Sequence, residues 1–220
     1  MAELTQLHSP AKPWRVSRLR LLVALAGGLL LIVLVSGFVW WQKTPRNLAY
    51  AGAAATAEWK SAWQAGDIVA LVRHTERCDR SGNICLGPAD GITQAGSIAA
   101  GAVGLGFIQL GMQQAQVYSS PLTRTAQTAH YMFGHDAVTQ EWLEVCGPTL
   151  RNDVVAHKVA QHNLVLITHS GCISDFEKQT GYPRATFAEY GSALMVRIDA
   201  QGQLKVLGIM NADGWAKIDK

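Results

Sequence analysis

The sequence predicts an α/β fold on a largely parallel sheet, preceded by one transmembrane helix. Short apolar runs that stop abruptly at polar residues recur along the chain, as strands buried on both faces do. Helix-like segments separate them, and strands alternating with helices build parallel sheets. One much longer apolar run stands apart near the N-terminus. Hydrophobic residues form 49% of the 220 and charged ones 16%, which excludes a disordered chain and suits one folded unit with an appendage.

The long run comes first. Leu21 to Trp41 holds 21 residues without a charge, enough to cross a hydrocarbon core of about 30 Å as a helix. Lys12, Arg15, Arg18 and Arg20 precede it, against Lys43 and Arg46 just after. That excess directs the N-terminal side to the cytoplasm and the rest of the chain outside. Trp40 and Trp41 stand at the exit end, where aromatic rings favour the interface. A cleaved signal peptide is the competing reading, with Ala49-Tyr50-Ala51 as a late site. A signal's apolar region is shorter, about 7–15 residues, so a retained anchor is favoured. Both readings export the domain. The basic excess belongs to this tail, because the chain beyond residue 41 carries 15 basic and 15 acidic residues. A nucleic-acid partner held by phosphate neutralisation is therefore not expected.

The remaining elements follow in order. Pro45 and the Ala/Gly-rich stretch to Ala57 read as a juxtamembrane connector, residues 42–66, running into a helix around Glu58 to Gln64. Ile68 to Val72 is a buried strand. Thr93 to about Gly106 is helical and rich in small residues. Gln116 to Ser119 is a second strand, and Pro121 to Phe133 a helix with proline in its first turn. A weak strand lies near Val138 and a helix over about Thr149 to Gln161. Leu164 to Thr168 is the clearest strand, followed by a helix near Cys172 to Gln179. Ala193 to Ile198 and Leu204 to Ile209, split by Asp199-Ala200-Gln201-Gly202, form a hairpin.

Chemistry gathers at three strand ends, where open α/β sheets bind ligands. One strand runs into Arg73-His74-Thr75-Glu76-Arg77. Another runs into Ser119-Ser120-Pro121-Leu122-Thr123-Arg124, and a third into His169-Ser170-Gly171. Guanidinium forks match phosphate oxygens, and helix N-termini add partial positive charge. One sheet edge with two arginines and two histidines is an anion site. His130, His135, His157 and His162 lack such neighbours and read as structural or surface residues.

The usual phosphate machineries are missing. There is no Gly-x4-Gly-Lys-Ser/Thr loop and no Cys-x5-Arg, since Arg151 follows Cys146 one residue too early. There is neither a Gly-x-Ser-x-Gly elbow nor an acidic cluster for two metals. A histidine nucleophile remains, attacking phosphorus to give a phosphohistidine. No metal or cofactor is called for.

Leu71-Val72-Arg73-His74, Gly91-Ile92-Thr93-Gln94-Ala95-Gly96, Ser119 to Ala129 and Thr168-His169-Ser170-Gly171 resemble the ordered motifs of the histidine phosphatase superfamily. The match covers about residues 67–210. It implies a three-layer α/β/α, phosphoglycerate mutase-like fold, with residues 67–220 as the phosphatase domain behind a basic cytoplasmic tail (1–20), the anchor (21–41) and the connector. A narrower resemblance, carried by residues 73–86, Gly91-Ile92-Thr93 and Cys146-Gly147, is to exported lipopolysaccharide core heptose(II)-phosphate phosphatases of Gram-negative bacteria. The resemblance implies His74 as nucleophile, with Arg73, Arg124 and His169 on the phosphate oxygens. Thr75 and Ser170 depart from it, since glycines are common at those positions. Glu144 fits the general acid, with Glu141 and Glu76 as rivals. The implied substrate is a phosphorylated glycolipid or sugar phosphate, and the implied setting is a single-pass inner-membrane protein with a periplasmic domain, or its cleaved soluble form. Another periplasmic phosphoester, or a non-catalytic phosphate-binding module, is the alternative.

Cys78, Cys85, Cys146 and Cys172 all follow the apolar run, on the side where disulfides are permitted. Four cysteines allow three pairings. Their spacing does not suit zinc. The site layout implied by the resemblance favours Cys78–Cys85 and Cys146–Cys172.

Overall fold

The structure, a computed structural model, describes residues 18–41, 44–183 and 187–217. Most of the basic tail lies outside the described residues, as do the side chains of Trp40 and Trp41. Helix α1 (Arg18–Trp41) has 24 residues and rises about 36 Å. Its segment Arg18–Val39 is long and apolar enough to cross a membrane. The run has no polar face, so it cannot settle half-buried on a soluble core.

The described residues from 44 onward form a second, compact unit. Its elements are α2 (Ala53–Gln64), β1 (Ile68–Arg73), α3 (Gln94–Leu110), β2 (Ala115–Ser119), α4 (Thr123–Phe133) and β3 (Val138–Thr139), then α5 (Leu150–His157), β4 (Asn163–Thr168), α6 (Ser170–Gln179), β5 (Ala193–Ile198) and β6 (Leu204–Met210). One sheet has the order β3-β2-β4-β1-β5-β6. β3, β2, β4 and β1 run parallel, while β5 and β6 add an antiparallel hairpin at the β1 edge.

Strand alternation divides the core into two layers. Ile68, Ala70 and Val72 point with Val165 and Ile167 toward Trp59, Trp63, Phe107 and Met132 of α2, α3 and α4. Val69 and Leu71 point with Leu164 and Leu166 toward Leu150, Val154, Ile173 and Phe176 of α5 and α6. The result is a three-layer α/β/α sandwich. The small residues of α3 bring it close to α4: a Cβ on Gly104 would stand 1.9 Å from the Met132 carbonyl oxygen.

Three boundaries differ from the sequence reading. The connector is not a separate linker beyond its first residues. α2 starts at Ala53, and Trp59 and Trp63 are 1% and 2% exposed. Trp63 Nε1 donates to the Gly111 carbonyl at 2.8 Å, and Arg46 Nε donates to the Leu207 carbonyl at 2.8 Å. Tryptophans four apart share a helix face, and losing one from a core costs about 3–5 kcal/mol. Residues 46–66 thus belong to the folded unit. α4 begins at Thr123, after an extended Leu122 cap, so Pro121 precedes its first turn. α5 ends at His157, because Lys158 turns extended and its Nζ donates to the Gly66 carbonyl at 2.8 Å.

Candidate active site

The three parallel strands that end in polar motifs are neighbours, in the order β2-β4-β1. Arg73 pairs with Thr168 in register, and backbone pairing continues past the strands. His74 N–H donates to the Thr168 carbonyl at 2.9 Å, and Ser120 N–H to that of Ile167 at 3.0 Å. His74, Ser120 and His169 are therefore brought to one edge by the sheet itself.

His74 is 3% exposed. Its Nδ1 lies 2.8 Å from the Thr75 carbonyl oxygen. A carbonyl only accepts, so Nδ1 carries the proton and Nε2 keeps its lone pair. Burial, followed by the charges of His169, Arg124 and Arg73, pushes the imidazole down to about 3 despite the opposing Thr75 hydrogen bond. The ring is neutral at physiological pH, as a nitrogen nucleophile must be. Thr75 is held by Thr128 of α4, whose Oγ1 accepts from the Thr75 N–H at 3.1 Å. The Thr75 Oγ1, 3.3 Å from Thr128 Oγ1, adds a contact that the common glycine would lack and ties the residue after His74 to α4.

His169 stands edge-on to His74 with ring centroids 5.4 Å apart. Burial, then Arg124, Arg77 and Arg73, pushes it down to about 4. Its Nε2 lies 3.1 Å from Ser120 Oγ, while its buried Nδ1 has no partner among the described residues. The serine oxygen receives the Leu122 N–H at 3.4 Å and has its own proton to give. With that proton donated to Nε2, the His169 proton sits on Nδ1.

Arg73 donates from Nη1 to the Ala188 carbonyl at 2.7 Å. Its guanidinium lies 3.8 Å from the centroid of Tyr190, whose ring is also 5.7 Å from His74. Arg124 occupies the first turn of α4. Burial lowers the basicity of both arginines, and Arg77 adds to the effect. The Nε atoms of Arg73 and Arg124 are buried without an acceptor among the described residues. Orphaned donors on two guanidiniums and an imidazole, beside a neutral histidine, suit an anion.

The three glutamates separate. Glu76 Oε2 accepts from Thr93 Oγ1 at 2.7 Å and from Asn83 Nδ2 at 2.9 Å. These donors hold its carboxyl below the usual range, which suits an anchor for the start of α3 better than an acid. Glu141 is exposed and opens a short 3-10 turn. Glu144 caps that turn, is half-buried, and its charge reaches Arg124. Thr168 Oγ1 donates to the Leu143 carbonyl at 2.8 Å, so the residue before Glu144 is tied to the residue before His169. Cys146–Cys172 links the same two segments, and Cys78–Cys85 closes the loop after His74.

Sequence reasoning assigned no role to Ser120, Tyr190 or Arg77. Ser120 stood in a motif already singled out, but only Arg124 was read from it. Tyr190 reaches the site from a distant loop and carried no local signal. Away from the site, His130 contacts Asp136 and His157 stacks on Trp142.

A three-layer sandwich with Arg73 and His74 at the β1 end, Arg124 after β2 and His169 after β4 defines a class. Phosphoserine phosphatase from Entamoeba histolytica, in complex with 3-phosphoglyceric acid, aligns at a TM-score of 0.54 with 14% identity, over 67% of this chain and 98% of that one. Phosphoglycerate mutase from Bacillus anthracis aligns at 0.51 with 14% identity, over 72% and 100%. The protein histidine phosphatase SixA, complexed with tungstate, aligns at 0.51 with 17% identity, over 66% and 97%. The fold is that of the phosphoglycerate mutase-like histidine phosphatases. No protein-family model matches the chain, but curated relatives do. The lipopolysaccharide core heptose(II)-phosphate phosphatase of Salmonella newport is 32% identical over 163 residues, 72% of this chain and 78% of the relative. That of Salmonella paratyphi B is 34% identical over 114 residues, so there the match spans 56% of the relative. The chain belongs to the lipopolysaccharide core heptose(II)-phosphate phosphatase family.

Proposed function

We propose that the protein hydrolyses a phosphomonoester through a phosphohistidine on His74, and that its substrate is the heptose(II) phosphate of the lipopolysaccharide core. The observation that carries the chemistry is the buried, neutral His74, its Nε2 free, beside the unsatisfied donors of Arg73, Arg124 and His169. Arg73, Arg124 and His169 Nδ1–H bind the phosphoryl oxygens and stabilise the charge spread over them in the transition state. His74 Nε2 attacks phosphorus as the P–O bond to the sugar breaks. Glu144 gives its proton to the departing oxygen. The resulting carboxylate then takes a proton from water as the water oxygen attacks the phosphohistidine. Inorganic phosphate leaves, and His74 and Glu144 return to their starting forms.

The substrate rests on family membership. The apolar helix and the two disulfides fit an envelope protein. The specific setting we infer is a single-pass inner-membrane protein, its basic end cytoplasmic and its catalytic unit periplasmic. A reporter active only outside the cytoplasm, fused after Lys220, should then work. Release of a soluble form beginning near Gly52 would remove the anchor and keep the export.

The decisive experiment combines trapping with mass. Label from a phosphoester, quenched in alkali because phosphohistidine is acid-labile, should appear on His74 and vanish in His74→Ala. Lipopolysaccharide treated with wild type should lose one phosphate in mass, and His74→Ala should leave it unchanged. Labelling of His74 without loss from lipopolysaccharide would keep the chemistry and discard the substrate.

A further inference from the structure

The loop that leaves the nucleophile carries two guanidiniums beyond the phosphate clamp. Arg77 and Arg80 flank and end the short turn Cys78–Arg80. Arg77 donates to both oxygens of Asp79, at 2.8 and 2.5 Å. The turn is fixed from several sides. Cys78 N–H donates to the Gly91 carbonyl and Asp79 N–H to that of Ala89, each at 3.0 Å. Cys78–Cys85 closes the loop, and Gln127 of α4 accepts the Ile92 N–H at 2.8 Å. These arginines are therefore displayed on a cross-linked platform.

Both charges reach the phosphate pocket. Arg77 acts on Arg73, Arg124 and His169, and Arg80 acts on Arg73. Arg77 is neutralised and oriented by Asp79, with the more distant charge of Asp90 also favouring it. Arg80 is exposed and has no ion pair among the described residues. One transferable phosphate is already matched by Arg73, Arg124 and His169. Asp79 balances Arg77, so Arg80 is the guanidinium whose charge beside the clamp has no ion-pair partner among the described residues, and a second bound anion would match it.

We propose that Arg80, backed by Arg77, forms a second anion subsite for a saccharide that carries another phosphate or carboxylate near the phosphate being removed. The inference rests on the phosphatase reading above and narrows its substrate class to polyanionic sugars. Asp79 keeps the Arg77 fork aligned, and Arg80 supplies the uncommitted donors.

The test compares phosphate release from five probes. Glucose 1,6-bisphosphate is set against glucose 6-phosphate, and glucuronic acid 1-phosphate against glucose 1-phosphate, with phenyl phosphate as the single-anion reference. Wild type should favour at least one doubly anionic probe by about ten-fold in kcat/KM, the scale of a charge-assisted hydrogen bond. Preference for the bisphosphate alone would identify a phosphate subsite, and preference for the glucuronate alone a carboxylate one. Arg80→Gln should abolish the preference and leave phenyl phosphate unchanged, whereas Arg80→Lys should keep most of it. Added salt should erode it in wild type. Equal rates on single and double anions in wild type would overturn the proposal, as would an Arg80→Gln loss equal on every probe. His74-dependent hydrolysis of phenyl phosphate in the same assays separates either failure from failure of the phosphatase reading.

Discussion

The Ser120 hydroxyl sits 3.1 Å from Nε2 of His169, and the serine is wholly buried. With the hydroxyl as donor, the contact keeps the His169 proton on Nδ1, the nitrogen that binds phosphate in the proposed mechanism. Without it the proton is free to move to Nε2, and Nδ1 would turn a lone pair toward an anion.

Ser120→Ala should therefore lower kcat about ten-fold, the worth of one hydrogen bond, with little change in KM. Nitrogen-15 shifts of His169 should move from a pure Nδ1–H tautomer to a mixture. A fall in kcat with the tautomer unchanged would reduce Ser120 to a packing residue.

Glu144 and the arginine clamp should respond differently to the leaving group. In the proposed mechanism Arg73 and Arg124 meet phosphate oxygens whatever ester is cleaved, so their removal should slow every substrate. A general acid matters only where the departing oxygen needs a proton, and is worth about 10²–10⁴-fold there. Glu144→Gln should slow a sugar phosphate by that factor and an activated aryl phosphate far less. Equal loss on both would assign Glu144 to folding or binding.

Much of this site was legible because strand ends announce themselves. An apolar run stopping at Arg73-His74, or at His169, marks a β-strand and its functional end together. Ser120 was visible as a residue, but its role depends on β2 and β4 being neighbours, which no local pattern encodes. Tyr190 lies on a loop whose meeting with Arg73 follows from the antiparallel β5 beside β1. The misplaced connector had a different cause. Alanines between residues 51 and 57 resemble a linker, and they masked the Trp59–Trp63 stripe that marks a core helix. Glu76 looked suited to catalysis by proximity in sequence, and only the positions of Thr93 and Asn83 revealed its other commitments.

The Cys146–Cys172 bridge should contribute to both stability and acid placement. It closes a 26-residue separation, worth about 3.5 kcal/mol in a chain-entropy account. A Cys146→Ser/Cys172→Ser double variant should lose thermal stability on that scale. Its sugar-phosphate activity should fall more than its aryl-phosphate activity, because the Glu144 segment would lose its covalent tie to the start of α6. A uniform fall on both substrates would confine the bridge to stability.

The two site histidines should also make stability depend on pH, with a sign that can be worked out. His74 and His169 ionise at about 3 and about 4 when folded, against about 6.5 in the unfolded chain. Between these values the unfolded state binds more protons, so the histidines' contribution is complete above about pH 6.5 and is lost as pH falls. Glu177 opposes them. Burial raises its carboxyl to about 7, so its contribution is complete below about pH 4.5 and is lost as pH rises through 7. From about pH 4.5 to 6.5 the unfolded chain gains two protons on the histidines and lacks one on Glu177, a net excess of one. Stability should rise across that window by about 1.4 kcal/mol per pH unit. Removing one site histidine in His74→Gln should flatten the slope, and Glu177→Gln should steepen it. Thermal unfolding measured across the window in phosphate-free buffer checks both, since bound phosphate would favour the protonated imidazoles. Parallel slopes in wild type and His74→Gln would mean that His74 is not held neutral by its burial, and the argument for its readiness as a nucleophile would fall with it.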